Sequence, residues 1–217
     1  MAAAAAVLAG CGTTAQRGGF DASSARIDNT WFPLKPGTTY VYAGVRDGKP
    51  SRDVVTVTGR TEMVHGVRCA VIDDRLYLAG RLGERTTDWY AQDRAGNVWY
   101  LGEATAELDR RGRVTGTAGT WRAGRNGAVA GIYMPAHPRV GQSMRQEYYR
   151  GQAEDHFRVL SLSNGHTLVT EEWTPLEPGV LDHKVYRRGV GTVREEAVRG
   201  GNERAVLVSV RHGAPLP

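Results

Sequence analysis

The stretch Asp88-Trp89-Tyr90-Ala91-Gln92-Asp93-Arg94-Ala95-Gly96-Asn97-Val98-Trp99-Tyr100-Leu101 decides the fold. Two aromatic runs flank five residues of turn chemistry. Asp93 starts the turn by accepting bonds from nearby backbone amides, and Gly96 takes the left-handed conformation that closes it. The segment reads as an antiparallel hairpin. The same pattern recurs on both sides. Upstream, Thr38–Tyr42 and Val54–Thr58 are β-branched and aromatic runs, with the hairpin signal Asp47-Gly48 between them. Val64-His65-Gly66-Val67 is a tight turn with His65 at its tip, and Val67–Leu78 follows as a long or bent strand. Asp109-Arg110-Arg111-Gly112 repeats the turn chemistry. Downstream strands are Ser143–Tyr149, Asp155–Leu162, Thr167–Trp173, Leu181–Tyr186, Thr192–Val198 and Arg204–Val210. Their separators are Asn164-Gly165, Pro175–Gly179, Gly189–Gly191 and Gly200-Gly201. Short strands spaced by turns predict an all-β domain over residues 27–213, with roughly ten to twelve antiparallel strands. The architecture is a meander closed or half-closed into a barrel; a β-sandwich is the alternative. Glu103–Arg110 is the best short stretch for a helical reading.

Composition fits this picture. The 217 residues are 41% hydrophobic and 24% charged, enough to bury a core and too apolar for global disorder. Of the 28 basic residues only Lys35, Lys49 and Lys184 are lysines. The arginines are scattered, and their longest runs are Arg110-Arg111 and Arg187-Arg188. A net charge of +5 spread this way lacks the concentrated basic face of a nucleic-acid binder, so no nucleic-acid partner is expected.

Residues 1–10 carry a nine-residue apolar run, Ala2–Gly10, too short to span a bilayer and of the length of a signal-peptide core. It ends in Leu8-Ala9-Gly10-Cys11, followed by Gly12. This resembles the lipobox of bacterial lipoproteins, in which the cysteine is lipidated after cleavage before it. No Lys or Arg precedes Arg17, a departure from the basic start such signals have. The resemblance implies that Cys11 is the lipidation site and that the protein is extracytoplasmic, anchored to the bacterial cell membrane. Residues 11–26, rich in Gly, Thr, Ser and Ala, then read as a flexible tether. Phe32–Tyr42 and Asp88–Tyr100 resemble the opening strand and the hairpin of many uncharacterised secreted bacterial lipoproteins. That likeness implies a β-rich exported domain and brings no reaction with it. With Cys11 lipidated only Cys69 remains, so no intrachain disulfide is expected, and its apolar neighbours predict a buried, inert thiol.

One septet appears twice. Trp31-Phe32-Pro33-Leu34-Lys35-Pro36-Gly37 matches Trp173-Thr174-Pro175-Leu176-Glu177-Pro178-Gly179 at five of seven positions. Proline fixes φ and glycine permits a positive-φ exit, so both read as stiff corners leading into strands.

Motifs for established chemistries are absent. The sequence has no G-x-S-x-G, Walker loop, C-x-x-C or H-E-x-x-H, and its six histidines form no local metal pair. No cofactor and no metal is expected. Strand pairing offers one constellation instead. With Asn164-Gly165 as a two-residue turn, Arg158 opposes Glu171 and His156 opposes Trp173. With Pro175–Gly179 as a five-residue loop, Glu171 opposes His183. Either Glu195 or Glu196 then lies beside His183. A histidine next to a carboxylate suits general-base chemistry, so His183, Glu171, Glu195 and Glu196 are the candidate catalytic residues. His156, Arg158, Trp173, Tyr133 and Tyr148 are candidate binding residues, with aromatic bodies and polar tips. Glu172 and Lys184 fall on the opposite face, where they form an ordinary surface pair. The same charged row is also what a solvated sheet face carries. Three functions remain open: a membrane-tethered module for a small-molecule or lipid ligand, an extracytoplasmic acid–base enzyme, and an envelope scaffold.

Overall fold

Every turn signal named above separates two antiparallel strands in the computed structural model, which describes residues 19–216. The strands are β1 (Thr38–Arg46), β2 (Lys49–Val64), β3 (Val67–Leu78), β4 (Arg81–Gln92), β5 (Val98–Leu108), β6 (Val114–Gly116), β7 (Trp121–Arg122), β8 (Val129–Met134), β9 (Ser143–Arg145), β10 (Glu147–Tyr148), β11 (His156–Ser163), β12 (Thr167–Trp173), β13 (Leu181–Arg187), β14 (Gly191–Arg199) and β15 (Arg204–His212). Fifteen strands form where ten to twelve were expected, the surplus being the short β6, β7, β9 and β10. At Asp47-Gly48, His65-Gly66 and Asn164-Gly165 both central residues have positive φ. That conformation matches the right-handed twist of the flanking strands. Ala79-Gly80 does the same without an Asn or Asp to announce it.

The sheet runs β10-β8-β5-β4-β3-β2-β1-β15-β14-β13-β12-β11-β9, with β6 and β7 beside β5. First and last long strands therefore pair, Thr38 opposite His212 and Val45 opposite Arg204. The two ends of the path, β9 and β10, are neighbours in the chain, separated only by Gln146. Segment 143–148 pairs with β11 through its first half and with β8 through its second. The wall thus comes round to meet itself as a nearly closed barrel, not a sandwich. No helix occurs among the described residues. Residues 103–108 extend β5, because Glu84–Asp88 of β4 pair with Glu103–Glu107 and sheet pairing outweighs a weak local preference.

One end of the barrel is plugged. Ile27 and Leu34 pair across a bend and are buried with Trp31. Asn29 organises this bend. Its Oδ1 accepts from the Trp31 and Phe32 amides, and its Nδ2 donates to the Gly96 and Pro135 carbonyls. The Gly189 amide donates to the Thr30 carbonyl and the Tyr40 hydroxyl to the Pro33 carbonyl, tying the plug to the β13–β14 turn and to β1. Part of the expected tether belongs to the fold: Ser24 is buried, its Oγ donates to the Arg68 carbonyl, and Phe20 meets Trp99 edge-on. Packing begins by Gly19 rather than at residue 27, because this polar segment finds backbone partners on β3 and β4. Cys11 and the apolar run before it lie outside the described residues. Cys69 is fully buried, and burial pushes its thiol up to about 12.

Among the long strands the wall is weakest between β14 and β15. β14 and β15 pair only at Arg194–Glu196 with Arg204–Val206. Toward the plugged end they part, and the Tyr42 hydroxyl reaches across to donate to the Thr192 carbonyl at 3.1 Å.

Candidate functional site

Strand alternation decides what faces inward. A residue and its second neighbour share a face, and three pairs, Asp53/Val55 on β2, Ile72/Asp74 on β3 and Asp88/Tyr90 on β4, line one internal cavity of ≈ 230 Å³. Phe32 and Leu34 of the plug form its floor, with Tyr42 and Tyr133 on the wall and Lys184 and Glu195 above. The rings form a connected set. Tyr90 stacks on Tyr100 at 4.5 Å, and Tyr133 meets Phe32 at 4.6 Å and Tyr90 at 5.2 Å. Lys184 and Glu195 also line a second chamber of ≈ 520 Å³ towards the unplugged end. Glu103, Glu147, Asp155 and Glu172 are among its walls.

This interior is strongly acidic. The two chambers are lined by twelve of the chain's 23 acidic residues but only two of its 28 basic ones, Lys184 and Arg46. The interior has a formal charge of −10. The other 11 acidic and 26 basic residues give the remainder +15. Lys184 stands between the chambers, 2.8 Å from Glu172 and 3.5 Å from Glu195. Burial opposes its charge, but those two carboxylates outweigh burial and hold its pKa well above the ordinary value.

Asp53, Asp74, Asp88, Glu103 and Glu147 form no ion pair among the described residues, whereas Glu84 lies 4.0 Å from Arg46. Desolvation, reinforced by the hydrogen bond that its protonated form donates to Asp53, raises Asp74 well above the usual carboxylate range. Burial pushes Asp88 up to about 7, partly offset by the Tyr100 hydroxyl that donates to it at 2.6 Å. Burial and the neighbouring acids push Glu103 up to about 8 and Glu147 up to about 9. Glu147 is 6% exposed, yet its Oε2 makes no hydrogen bond; the Trp121 indole beside it favours the charged form without reaching bonding geometry. Asp53 Oδ1 is likewise buried without a partner. The Glu195 side chain is 43% accessible, but that surface faces the chambers, so protein surrounds its carboxyl and burial raises its pKa. Among the described residues, no three His, Cys, Asp or Glu side chains converge as metal ligands.

The expected row assembles in the expected register and on the opposite face. Arg158 pairs with Glu171, His156 with Trp173, Glu171 with His183, and His183 with Glu196 rather than Glu195. Arg158 donates to Glu171, and His183 Nε2 lies 3.9 Å from the same carboxylate. These groups line the outside. Arg158, Glu171 and Trp173 border a shallow external groove, and Glu196 is 3.8 Å from Arg194. His156 stacks on Trp173 at 5.5 Å and shares a second shallow groove with Tyr148, whose ring carries Arg145 at 4.4 Å. Of the candidate catalytic and binding residues, only Glu195 and Tyr133 line the internal cavity, while Trp173, at the end of β12, also borders the second chamber. The surface pair Glu172–Lys184 is corrected to a buried one. Leu168, Thr170 and Tyr186, all fully buried, have the same strand parity as Glu172 and Lys184 and carry that face inward.

Asp53, Asp74, Asp88, Phe32, Tyr42 and Tyr90 are not among the candidate site residues read from the sequence. A usable signal was present. In Asp53-x-Val55-x-Val57 and Asp88-x-Tyr90 an acid shares a strand face with core residues, which a solvated carboxylate does not do.

Fold and site define an all-β antiparallel barrel, plugged at one end, with an aromatic and acidic interior. No protein-family model matches the chain, and no curated protein matches its sequence. Two solved structures resemble it in outline. One is a Bacteroides fragilis protein described as exported and of YmcC-like fold, with 15% identity over 84% of this chain and 99% of that one and a TM-score of 0.46. The other is described as a lipoprotein of Parabacteroides distasonis, with 12% identity over 85% of this chain and 100% of that one and a TM-score of 0.42.

Proposed function

We propose that this protein is an exported, lipid-anchored binding module whose barrel interior takes a small organic molecule. The observation that carries the binding reading is the internal cavity, which sets the rings of Phe32, Tyr42, Tyr90 and Tyr133 beside five charged side chains that can fix a ligand's orientation. Its ≈ 230 Å³ exceeds the roughly 150 Å³ cavity known to admit a benzene ring. Support for the anchor is the Leu8-Ala9-Gly10-Cys11 pattern after an apolar run. One acyl chain gives only marginal membrane binding, so stable anchoring requires the several chains of a lipoprotein.

Titration of the isotope-labelled full chain with 2-phenylethanol, followed by backbone amide shifts, tests the binding reading. Shifts are expected at Val55, Ile72 and Tyr133, and Ala205→Phe, which fills the cavity from β15, is expected to abolish them. Shifts confined to the outer grooves overturn the reading, as does no response. Mass spectrometry of the protein from a bacterium that exports lipoproteins tests the anchor. A Cys11 still joined to Gly10 and unmodified overturns it.

A further inference from the structure

We propose that the ligand is an organic cation: a small amine whose ammonium sits among Asp53, Asp74 and Asp88 while its hydrocarbon body packs against Phe32, Tyr42 and Tyr133. This deepens the binding reading above and rests on it.

Three independent observations converge. The first is charge segregation. Twelve acidic side chains and two basic ones line the chambers, so each acid that ionises there favours a cation over an anion, and low-dielectric walls strengthen the preference. The second is the set of orphaned oxygens. Asp53 Oδ1, in the wall of this cavity, is buried with no donor in the protein, and Glu147 Oε2 is in the same condition in the second chamber. A buried carboxylate oxygen without a donor is costly, and an ammonium ion supplies three donors. The third is the aromatic floor and wall. Ring faces attract cations electrostatically when water is excluded, and Phe32, Tyr90 and Tyr133 pack together at 4.6 to 5.5 Å beside the acids.

The protein already contains a version of this arrangement. Lys184 Nζ reaches Glu172 and Glu195 from the wall, so one ammonium is stably held by interior carboxylates. The lower acids lack such a cation, and burial therefore biases them towards the neutral form. The titratable and charged groups around Asp88 are Glu103 opposite it on β5, Asp53 from β2, Asp73 and Asp74 from β3, Glu84 from its own strand, and Lys184 and Glu195 from β13 and β14. The hydroxyls of Tyr42, Tyr100 and Tyr133 complete the set. An arriving ammonium ionises the acids it meets, and the displaced proton leaves to solvent.

The test compares three probes of one shape on the full chain: 2-phenylethylamine, 2-phenylethanol and 3-phenylpropanoate, read by amide shifts and calorimetry. The amine is expected to bind at least about tenfold tighter than the alcohol, the scale of a charge-assisted hydrogen bond. The anion is expected to leave the interior unperturbed. Asp88→Asn is expected to erase the amine's advantage while the alcohol still binds. If that variant loses its dispersed amide spectrum, Asp53→Asn replaces it, since Asp53 Oδ1 has no partner to lose. Equal binding of amine and alcohol overturns the cation assignment and leaves the binding reading intact. Tighter binding of the anion does the same. Interior amides unmoved by both amine and alcohol overturn both readings.

Discussion

Two rows of charge run across the same three strands, one residue out of phase. Glu172, Lys184 and Glu195 face inward from β12, β13 and β14; Glu171, His183 and Glu196 face outward from the same strands. Each row is acid, base, acid. In the outer row Arg158 contributes a half-exposed guanidinium to Glu171, and His183 stands 3.9 Å away. Water screens and replaces such contacts at little cost. In the inner row Lys184 and Glu172 meet at 2.8 Å with 18% and 9% of their side chains accessible. There each charge depends on its partner, because solvation is largely lost. Identical chemistry on one backbone thus has opposite consequences, set by strand parity alone.

The largest effect that tests this contrast comes from removing the inner cation. Lys184→Met leaves Glu172 and Glu195 buried without a counter-charge, and a broken buried pair costs about 3–5 kcal/mol. Urea unfolding at pH 7 measures it. A second change, Glu172→Gln in the Lys184→Met background, is expected to restore a good part of the loss. A cost below about 1 kcal/mol means that water reaches this pair freely and that the inner row is no different from the outer.

The pH dependence of stability comes next. Asp88, Glu103 and Glu147 have folded-state values of about 7, 8 and 9 through burial, well above the roughly 4 of an unfolded carboxyl. The folded protein therefore holds protons that the unfolded chain has released. Stability is highest near pH 4–5 as far as these groups are concerned, and declines as pH rises from there through the folded values. Lys184, with its pKa held above the ordinary lysine value, stays charged throughout and adds no slope. Unfolding free energies at pH 5 and pH 8.5 are expected to differ by at least about 2 kcal/mol, the lower pH being more stable. A flat or rising profile shows that the acids are solvated.

These inner acids explain what the sequence made legible and what it hid. Turn chemistry at Asp47-Gly48, Asp93–Asn97 and Asn164-Gly165 is local, depends on a few backbone torsions, and can be read from residue type. The register Glu171–His183 followed by counting across Pro175–Gly179, whereas Arg158–Glu171 holds because a three-residue turn, Asn164–His166, in place of the expected two-residue one is cancelled by a bulge at Leu160. Parity did not follow. On β12, Val169 and Trp173 accompany Glu171, while Leu168 and Thr170 accompany Glu172, so neither face of the strand is plainly the apolar one. Only the plug, a long-range element, closes off the inside. The repeated septet makes the same point. Its first copy buries Trp31 and Leu34 at 3% and 5% exposure, while the second is a loop with Leu176 at 42%. The corner is the same, and tertiary placement makes one a floor and the other a rim.

The effect of one group, with reversed sign, sharpens the contrast. Glu147 is buried, lacks a donor at Oε2 and is pushed up to about 9. Glu147→Gln removes the cost of ionising it. At pH 9 this variant is expected to be more stable than the parent by at least about 2 kcal/mol, and at about pH 3.5, where the carboxyl is neutral in the folded and the unfolded chain alike, about equal. Thermal unfolding in matched buffers at the two pH values reads the difference. Equal destabilisation at both pH values shows a packing defect and removes the carboxyl from the account.

The outer row supplies the smallest effect. Arg158 is half exposed and Glu171 keeps 17% of its side chain accessible, so water competes for both groups. A measured surface pair contributes about 0.2–1 kcal/mol, and the short contact here places Arg158–Glu171 near the upper end. A double-mutant cycle with Arg158→Gln and Glu171→Gln isolates that coupling from the individual costs. It is expected to lie below about 1 kcal/mol at low salt and to shrink by roughly half in 0.5 M NaCl, where the screening length falls to about 4 Å. His183→Asn, on the same face, is expected to shift stability by no more than about 0.5 kcal/mol and to leave amine binding unchanged. A coupling above about 2 kcal/mol that ignores salt means the outer row is shielded from water and behaves as the inner row does. A loss of amine binding in His183→Asn moves the ligand out of the barrel and onto the face where the sequence first placed it.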